Sequence, residues 1–161
     1  MPIIELKTEI KADIQIVFDL SRSIDLHEIS TKHTNETAIA GRTSGLIQLG
    51  ESVTWKAKHF GIYQKLTSKI TEYKRPHYFV DEMISGTFKA FKHQHHFEYC
   101  NGITILTDYF DYVSPLGILG RLVDKLFLKK YMIELLEKRN QTIKEFAESE
   151  QWKMVLNTSK I

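Results

Sequence analysis

From His33 to Val113 apolar and polar residues alternate with period two, and Gly41, Gly45, Gly50, Gly61, Gly86 and Gly102 punctuate the run. A stretch of this kind folds as consecutive antiparallel strands. Turn signals divide it into Thr34 to Ala40, Ser52 to Phe60, Ile62 to Lys74, His77 to Ile84, Thr87 to Cys100 and Ile103 to Val113. An earlier alternating segment, Pro2 to Ile10, puts Ile4, Leu6 and Ile10 on one side and Glu5, Lys7 and Glu9 on the other, which adds a seventh strand. Several of these strands are long, and long strands curl or bulge to stay packed on one core.

Helical spacing occurs only before and after the meander. Ile14, Val17 and Phe18 follow Asp13, and Ile24, Leu26 and Ile29 follow Ser21 to Ser23, predicting two short helices in tandem. Beyond the last strand, Ser114 offers a hydroxyl cap with Pro115 at the first helical position, where its missing N–H costs nothing. Leu119, Leu122, Val123, Leu126, Ile133, Leu136 and Ile143 then trace one apolar stripe, while charged residues from Lys129 to Glu148 fill the other face. Unbroken, this helix would run about 50 Å at 1.5 Å per residue, longer than such a domain is wide, so a break is expected near Leu128 to Lys130. The predicted fold class is α+β: a curved seven-stranded antiparallel sheet, two short helices after strand one, and a long C-terminal helix covering the sheet. A curved sheet gripping one helix leaves a space at one end, and such spaces bind small molecules.

At 161 residues the chain predicts one domain over 1–150 with a C-terminal tail, 151–161, that lacks caps and is expected to be loosely ordered, with Trp152 available to anchor it. Twenty-two basic against 20 acidic residues give a net charge of +2, no electrostatic footprint for nucleic acid. A single cysteine, Cys100, and the lack of a signal-peptide pattern over Met1 to Ile10 predict a cytoplasmic protein. Charge interrupts every apolar run, so no transmembrane span is expected.

Several segments, standing in this order, resemble the helix-grip or START-related superfamily (SRPBCC), in particular its bacterial polyketide cyclase/dehydrase-like branch. They are Val17-Phe18-Asp19-Leu20 with Asp25-Leu26-His27, the run from Gly50-Glu51-Ser52-Val53-Thr54-Trp55 to His59-Phe60-Gly61, and Phe79-Val80-Asp81-Glu82-Met83. Gly86-Thr87-Phe88, His93-Gln94-His95-His96-Phe97 and Pro115-Leu116-Gly117-Ile118-Leu119-Gly120 complete the set, which covers most of residues 3 to 148. The resemblance implies a pocket for a hydrophobic small molecule, such as a lipid, a quinone or an aromatic polyketide. Cyclisation or dehydration is catalysed by a minority of such proteins.

On the fifth meander strand, Phe91, His93, His95, Phe97 and Tyr99 share a face that should point inward, away from Lys92, Gln94, His96 and Glu98. His59 shares parity with Val53, Trp55 and Ala57. Buried imidazoles need partners, so these histidines either form a polar patch that fixes strand register or touch a ligand. Asp81 is the carboxylate expected to face them, along with Phe79 and Met83. A three-residue loop with Gly86 in a bulge would set Asp81 opposite Phe91 and Phe79 opposite His93, whereas a two-residue hairpin would turn Asp81 away.

His93-x-His95 with His59 or Asp81 has weak metal-ligand spacing with no supporting cysteine, and no metal or other cofactor is predicted. The chain lacks a nucleophile elbow, phosphate loop or dinucleotide fingerprint; Gly41-Arg42-Thr43-Ser44-Gly45 lacks the lysine and hydroxyl ending and reads as a loop at the cavity mouth. Leu116 to Leu128 is apolar on nearly every side and reads as a lid with Gly117 and Gly120 as pivots, or as a face for a transient membrane contact. The expected function is binding or transport of a hydrophobic small molecule by Trp55, His59, Phe79, Asp81, Met83, Phe91, His93, His95 and Phe97, closed over by Leu122 and Leu126. The alternatives are a polyketide cyclase or dehydratase using His93 or His95 with Asp81, and a protein-interaction module whose cavity is filled by its own side chains.

Overall fold

The computed structural model describes residues 3–114, 122 and 127–157. Strand β1 (Ile3–Ile10) is followed by helices α1 (Ile14–Ser21) and α2 (Ile24–Ser30) and a single 3₁₀ turn, Lys32–Thr34. Asp13 and Ser23 cap the two helices through their side-chain oxygens. Six strands follow: β2 (Thr37–Gly41), β3 (Ser52–His59), β4 (Ile62–Lys74), β5 (Tyr78–Ser85), β6 (Ala90–Cys100) and β7 (Ile103–Val113). Helix α3 (Lys129–Ala147) and a short α4 (Trp152–Leu156) complete the described chain.

All seven strands join one antiparallel sheet in the order β1-β7-β6-β5-β4-β3-β2, so only the first strand is out of meander sequence, returning to pair with the last. Register breaks between Ala38 and Ala40, between Thr67 and Ser68, and between Ile70 and Glu72 supply the bulges that the long strands require. The sheet's inner face and the helices bury two apolar clusters. Val17, Phe18, Phe79, Phe97, Ile143 and their neighbours form the larger, and Ile4, Phe91, Phe110, Tyr112 and Leu136 the smaller.

Two boundaries differ by more than one residue from the sequence reading. β2 begins at Thr37 rather than Thr34, because Lys32–Thr34 closes a 3₁₀ turn and Asn35 takes a left-handed φ of 50°. β6 begins at Ala90 rather than Thr87. Residues 86–89 bend outside the ladder, so the β5–β6 connection is longer than three residues and the register moves by two: Asp81 lies opposite His93 and Phe79 opposite His95. Gly86 lies so close to β4 that a Cβ there would stand 2.5 Å from Leu66 Cδ1, contact that draws the loop over the sheet. The slip is even, so the inward faces are kept.

At the C-terminus, a wide π-type turn at Phe127 and Leu128 leads into α3, at the place expected for a break. The expected start of that helix, Pro115 to Gly120, lies outside the described residues, as does the proposed pivot pair Gly117 and Gly120. The tail is not loose over its first part: α4 buries Val155 against the larger cluster, with Trp152 and Leu156 packed beside it. Among the described residues no helix is long and apolar enough to cross a membrane.

Candidate functional site

Between the two apolar clusters the sheet and α3 leave a gap, a cavity of about 490 Å³. Its walls are mostly apolar, with Ile24, Val53, Leu66, Ile70, Phe88 and Leu136 among the lining residues. Among the polar residues that interrupt them, two groups stand out, one on the sheet side and one near the β3–β4 hairpin.

The sheet-side group is set by strand alternation. β6 points His93 and His95 inward beside Phe91 and Phe97, β5 adds Asp81 directly opposite His93, and β7 adds Asp108 directly opposite His95. The two imidazoles overlap at a centroid distance of 3.9 Å, and His95 also stacks on Phe79 at 4.2 Å. His95 Nε2 donates to Asp81 Oδ1 at 2.9 Å, and His93 Nε2 donates to Asp108 Oδ1 at 2.9 Å. His95 Nδ1 comes within 2.8 Å of the same Asp108 oxygen, but in a direction that forms no hydrogen bond. From α3, Asn140 Nδ2 donates to Asp108 Oδ2 at 2.6 Å, and the Arg139 guanidinium stands 3.6 Å from Asp108 while donating to the Ser21 carbonyl at 2.9 Å. One strand-to-strand polar ladder thus continues across to the helix.

Burial and pairing set the ionisation. Burial, reinforced by the neighbouring His95, pushes the His93 imidazole down to about 4, so it is neutral at physiological pH. Burial alone would raise the Asp108 carboxyl; the hydrogen bond from His93 and the closeness of both imidazoles outweigh it and hold that carboxyl well below its usual range. Asp81 shows the same opposition, burial against the His95 hydrogen bond and the two imidazoles, with a net lowering. Both acids are therefore carboxylates.

The second polar group lies by the hairpin. His59 Nδ1 and the Tyr131 hydroxyl share a 2.8 Å hydrogen bond, and His27 stands 3.4 Å from Glu36 while its ring packs on Trp55 at 4.3 Å. Burial lowers His59 and raises Tyr131, so each is neutral. Burial would raise Glu36 too, but the nearby His27 imidazole brings it down. Outside this group the hairpin tip exposes Phe60, Ile62 and Tyr63, and Phe60 touches Phe127 and Tyr131 at ring distances of 5.4 and 4.7 Å.

Of the residues expected from sequence, Trp55, His59, Phe79, Asp81, Phe91, His93 and His95 line the cavity. Phe97 does not: it is 1% exposed and lies behind the wall, packed edge-on to Phe18. Met83 packs beside the smaller apolar cluster instead. Leu122 is 61% exposed and absent from the wall, and Leu126 lies outside the described residues. The Gly41 to Gly45 loop is tied down by the Arg42–Glu51 ion pair and by Gly45 N–H to Asp25, and it borders a separate surface depression rather than the cavity.

Asp108, Arg139, Asn140, Glu36 and Tyr131 were not singled out by sequence reasoning. Asp81, His93 and His95 each offer an atom within 4.8 Å of the others, a spacing a metal ion could use, although hydrogen bonds already account for their arrangement.

No protein-family model matches the chain, and no curated protein sequence matches it either. Solved structures do. A Thermus thermophilus protein superposes with a TM-score of 0.73 at 18% identity, covering 89% of this chain and 95% of its own. A START superfamily protein of Mycobacterium smegmatis gives 0.69 at 13% identity over 89% and 97%. A major latex-like protein of Panax ginseng gives 0.67 at 14% identity over 92% and 98%. At such identities the likeness establishes architecture, and that architecture is the helix-grip fold of the START-related structures.

Proposed function

We propose that this chain is a cytoplasmic carrier or binding protein for a hydrophobic small molecule, lipid, quinone or polyketide-like in character, held between the curved sheet and α3. The observation that carries this reading is the cavity itself: about 490 Å³ of space with predominantly apolar walls and a few fixed polar groups, within the size range of small-molecule sites. A chain that folded only to present its surface has no need to keep an apolar hollow of that size unfilled. This argues against the interaction-module reading, whose premise is a filled interior. Apolar walls supply affinity and the His–Asp ladder supplies orientation. The exposed Phe60, Ile62 and Tyr63 with Lys56 and Lys58 beside them support loading by transient contact with an anionic membrane surface.

Native mass spectrometry of freshly purified protein is the test. The carrier reading expects a released small molecule of lipid or quinone mass; a bare chain that also takes up nothing from a lipid extract would contradict it.

A second reading, acid–base turnover by the cyclase or dehydratase type of chemistry, is favoured by one observation: His95 Nε2 sits 2.9 Å from Asp81 Oδ1 in the cavity wall. Under that reading Asp81→Ala or His93→Ala abolishes turnover while leaving ligand affinity mostly intact; equal losses of both point to binding alone.

A further inference from the structure

We infer that the guest reaches the sheet side of the cavity with a neutral hydrogen-bond donor, a hydroxyl or phenol, and that carboxylate-headed guests are rejected there. The inference rests on the carrier reading and deepens it. His93 gives its one N–H to Asp108, which leaves the Nδ1 lone pair without a hydrogen bond, in a residue that lines the cavity. Asp81 accepts the His95 proton on Oδ1, and among the described residues no hydrogen bond reaches its other oxygen. The Asp81 side chain keeps 20% of its surface accessible, on a residue that also lines the cavity. These two atoms, on His93 and Asp81, are both acceptors.

The two buried arginines on the wall are already committed. Arg139 spends its guanidinium on the Ser21 carbonyl, the Asn140 side-chain oxygen and the Asp108 carboxylate. Arg22, the other buried arginine on the wall, is held by Asp19 at 2.8 Å and by the Ile47 carbonyl at 3.1 Å. A carboxylate arriving here would lose its water, find neither buried guanidinium free and face the Asp81 charge. A hydroxyl would instead satisfy an acceptor that is otherwise left without a partner, and sites built to pair with a hydroxyl discriminate strongly. An ammonium group would suit the charge of Asp81 but would forfeit far more hydration in apolar walls than a phenol does.

Matched bicyclic probes test this by isothermal titration at pH 7 with 2-naphthol, naphthalene and 2-naphthoate. The expected result is that 2-naphthol binds at least tenfold more tightly than 2-naphthoate, with naphthalene between them, and that the ratio falls toward one in Asp81→Asn. Naphthoate binding as tightly as naphthol, or a ratio unchanged in a folded Asp81→Asn, overturns the inference while leaving the carrier reading standing. Failure of all three probes to bind the folded wild type removes that reading itself, and this inference with it.

Discussion

Asp108 on β7 and Arg139 on α3 meet at 3.6 Å across the seam between sheet and helix, with at most 9% of either side chain exposed. Each charge is buried and each is oriented by further hydrogen bonds, Asp108 by His93 and Asn140, Arg139 by Ser21 and Asn140. A charge in such a place is tolerable only with its partners in position.

Removing one partner leaves the other buried and uncompensated. Asp108→Ala should therefore cost about 3–5 kcal/mol of stability, the range for a broken buried pair. The double change Asp108→Leu with Arg139→Met should recover part of that loss, since no buried charge is then left unpaired, while His93, Asn140 and the Ser21 carbonyl still lose a partner. Urea denaturation measures both; an Asp108→Ala loss below about 1 kcal/mol would show that the pair is not buried as described.

Stability should fall on mild acidification. The His93 imidazole is held down to about 4 in the folded chain, against an unfolded value of about 6.5, so the unfolded state binds more protons between these limits. Its contribution is complete above about pH 6.5, falls as the pH drops toward 4 and amounts to roughly 3 kcal/mol across that window. His59, His33 and His96 are lowered as well and act in the same direction. The depressed Asp81 and Asp108 act lower down: their stabilisation is present above about pH 4 and disappears below it. Melting temperatures from pH 7.5 to 4 should decline, and His93→Gln should flatten the curve relative to wild type. A pH-independent wild type would contradict the burial of His93.

The fold was legible because its signals are periodic: alternation set the inward faces of β1, β3, β5 and β6, and helical spacing set α1 and α2. Asp108 was within reach of the same reasoning, since it shares parity with Leu106, Phe110 and Tyr112 on β7. Arg139 and Asn140 likewise fall on the stripe between Leu136 and Ile143, where charged and polar residues are exceptional. The β5–β6 register was not legible, because the loop closes on Leu66 of a different strand and no local pattern encodes that contact. Phe97 shows the remaining gap: parity places a side chain on the inner face, but whether it lines the hollow or supports the wall depends on what packs in front of it.

Gly41 should not tolerate a side chain. It adopts a φ of +73°, and a Cβ there would stand 2.2 Å from the Ser52 carbonyl oxygen, inside the β2–β3 pairing. Gly102 has a similar φ of +81° but open space around it. Gly102→Ala should cost only the conformational penalty, about 1 kcal/mol, and Gly41→Ala clearly more, compared by thermal melts. Equal losses would show that the Ser52 contact is unimportant.

The hairpin tip should mediate contact with membranes. Phe60 and Ile62 are 55% and 66% exposed. Sedimentation with phosphatidylglycerol vesicles should carry down a larger fraction of wild type than of Phe60→Ser with Ile62→Ser, and the difference should shrink in neutral phosphatidylcholine. Equal sedimentation of the two proteins would remove the tip from any role in loading.

The central claim is that the hollow between sheet and α3 accepts an apolar guest. Fluorescence titration with the neutral probe N-phenyl-1-naphthylamine addresses it directly, read alongside emission from Trp55 in the cavity wall. Saturable one-to-one binding with a blue-shifted probe, reversed by added hydrophobic competitor and weakened by the cavity-filling change Ser68→Phe, is the predicted result. A folded wild-type protein that leaves the probe's emission as it is in buffer would contradict the account.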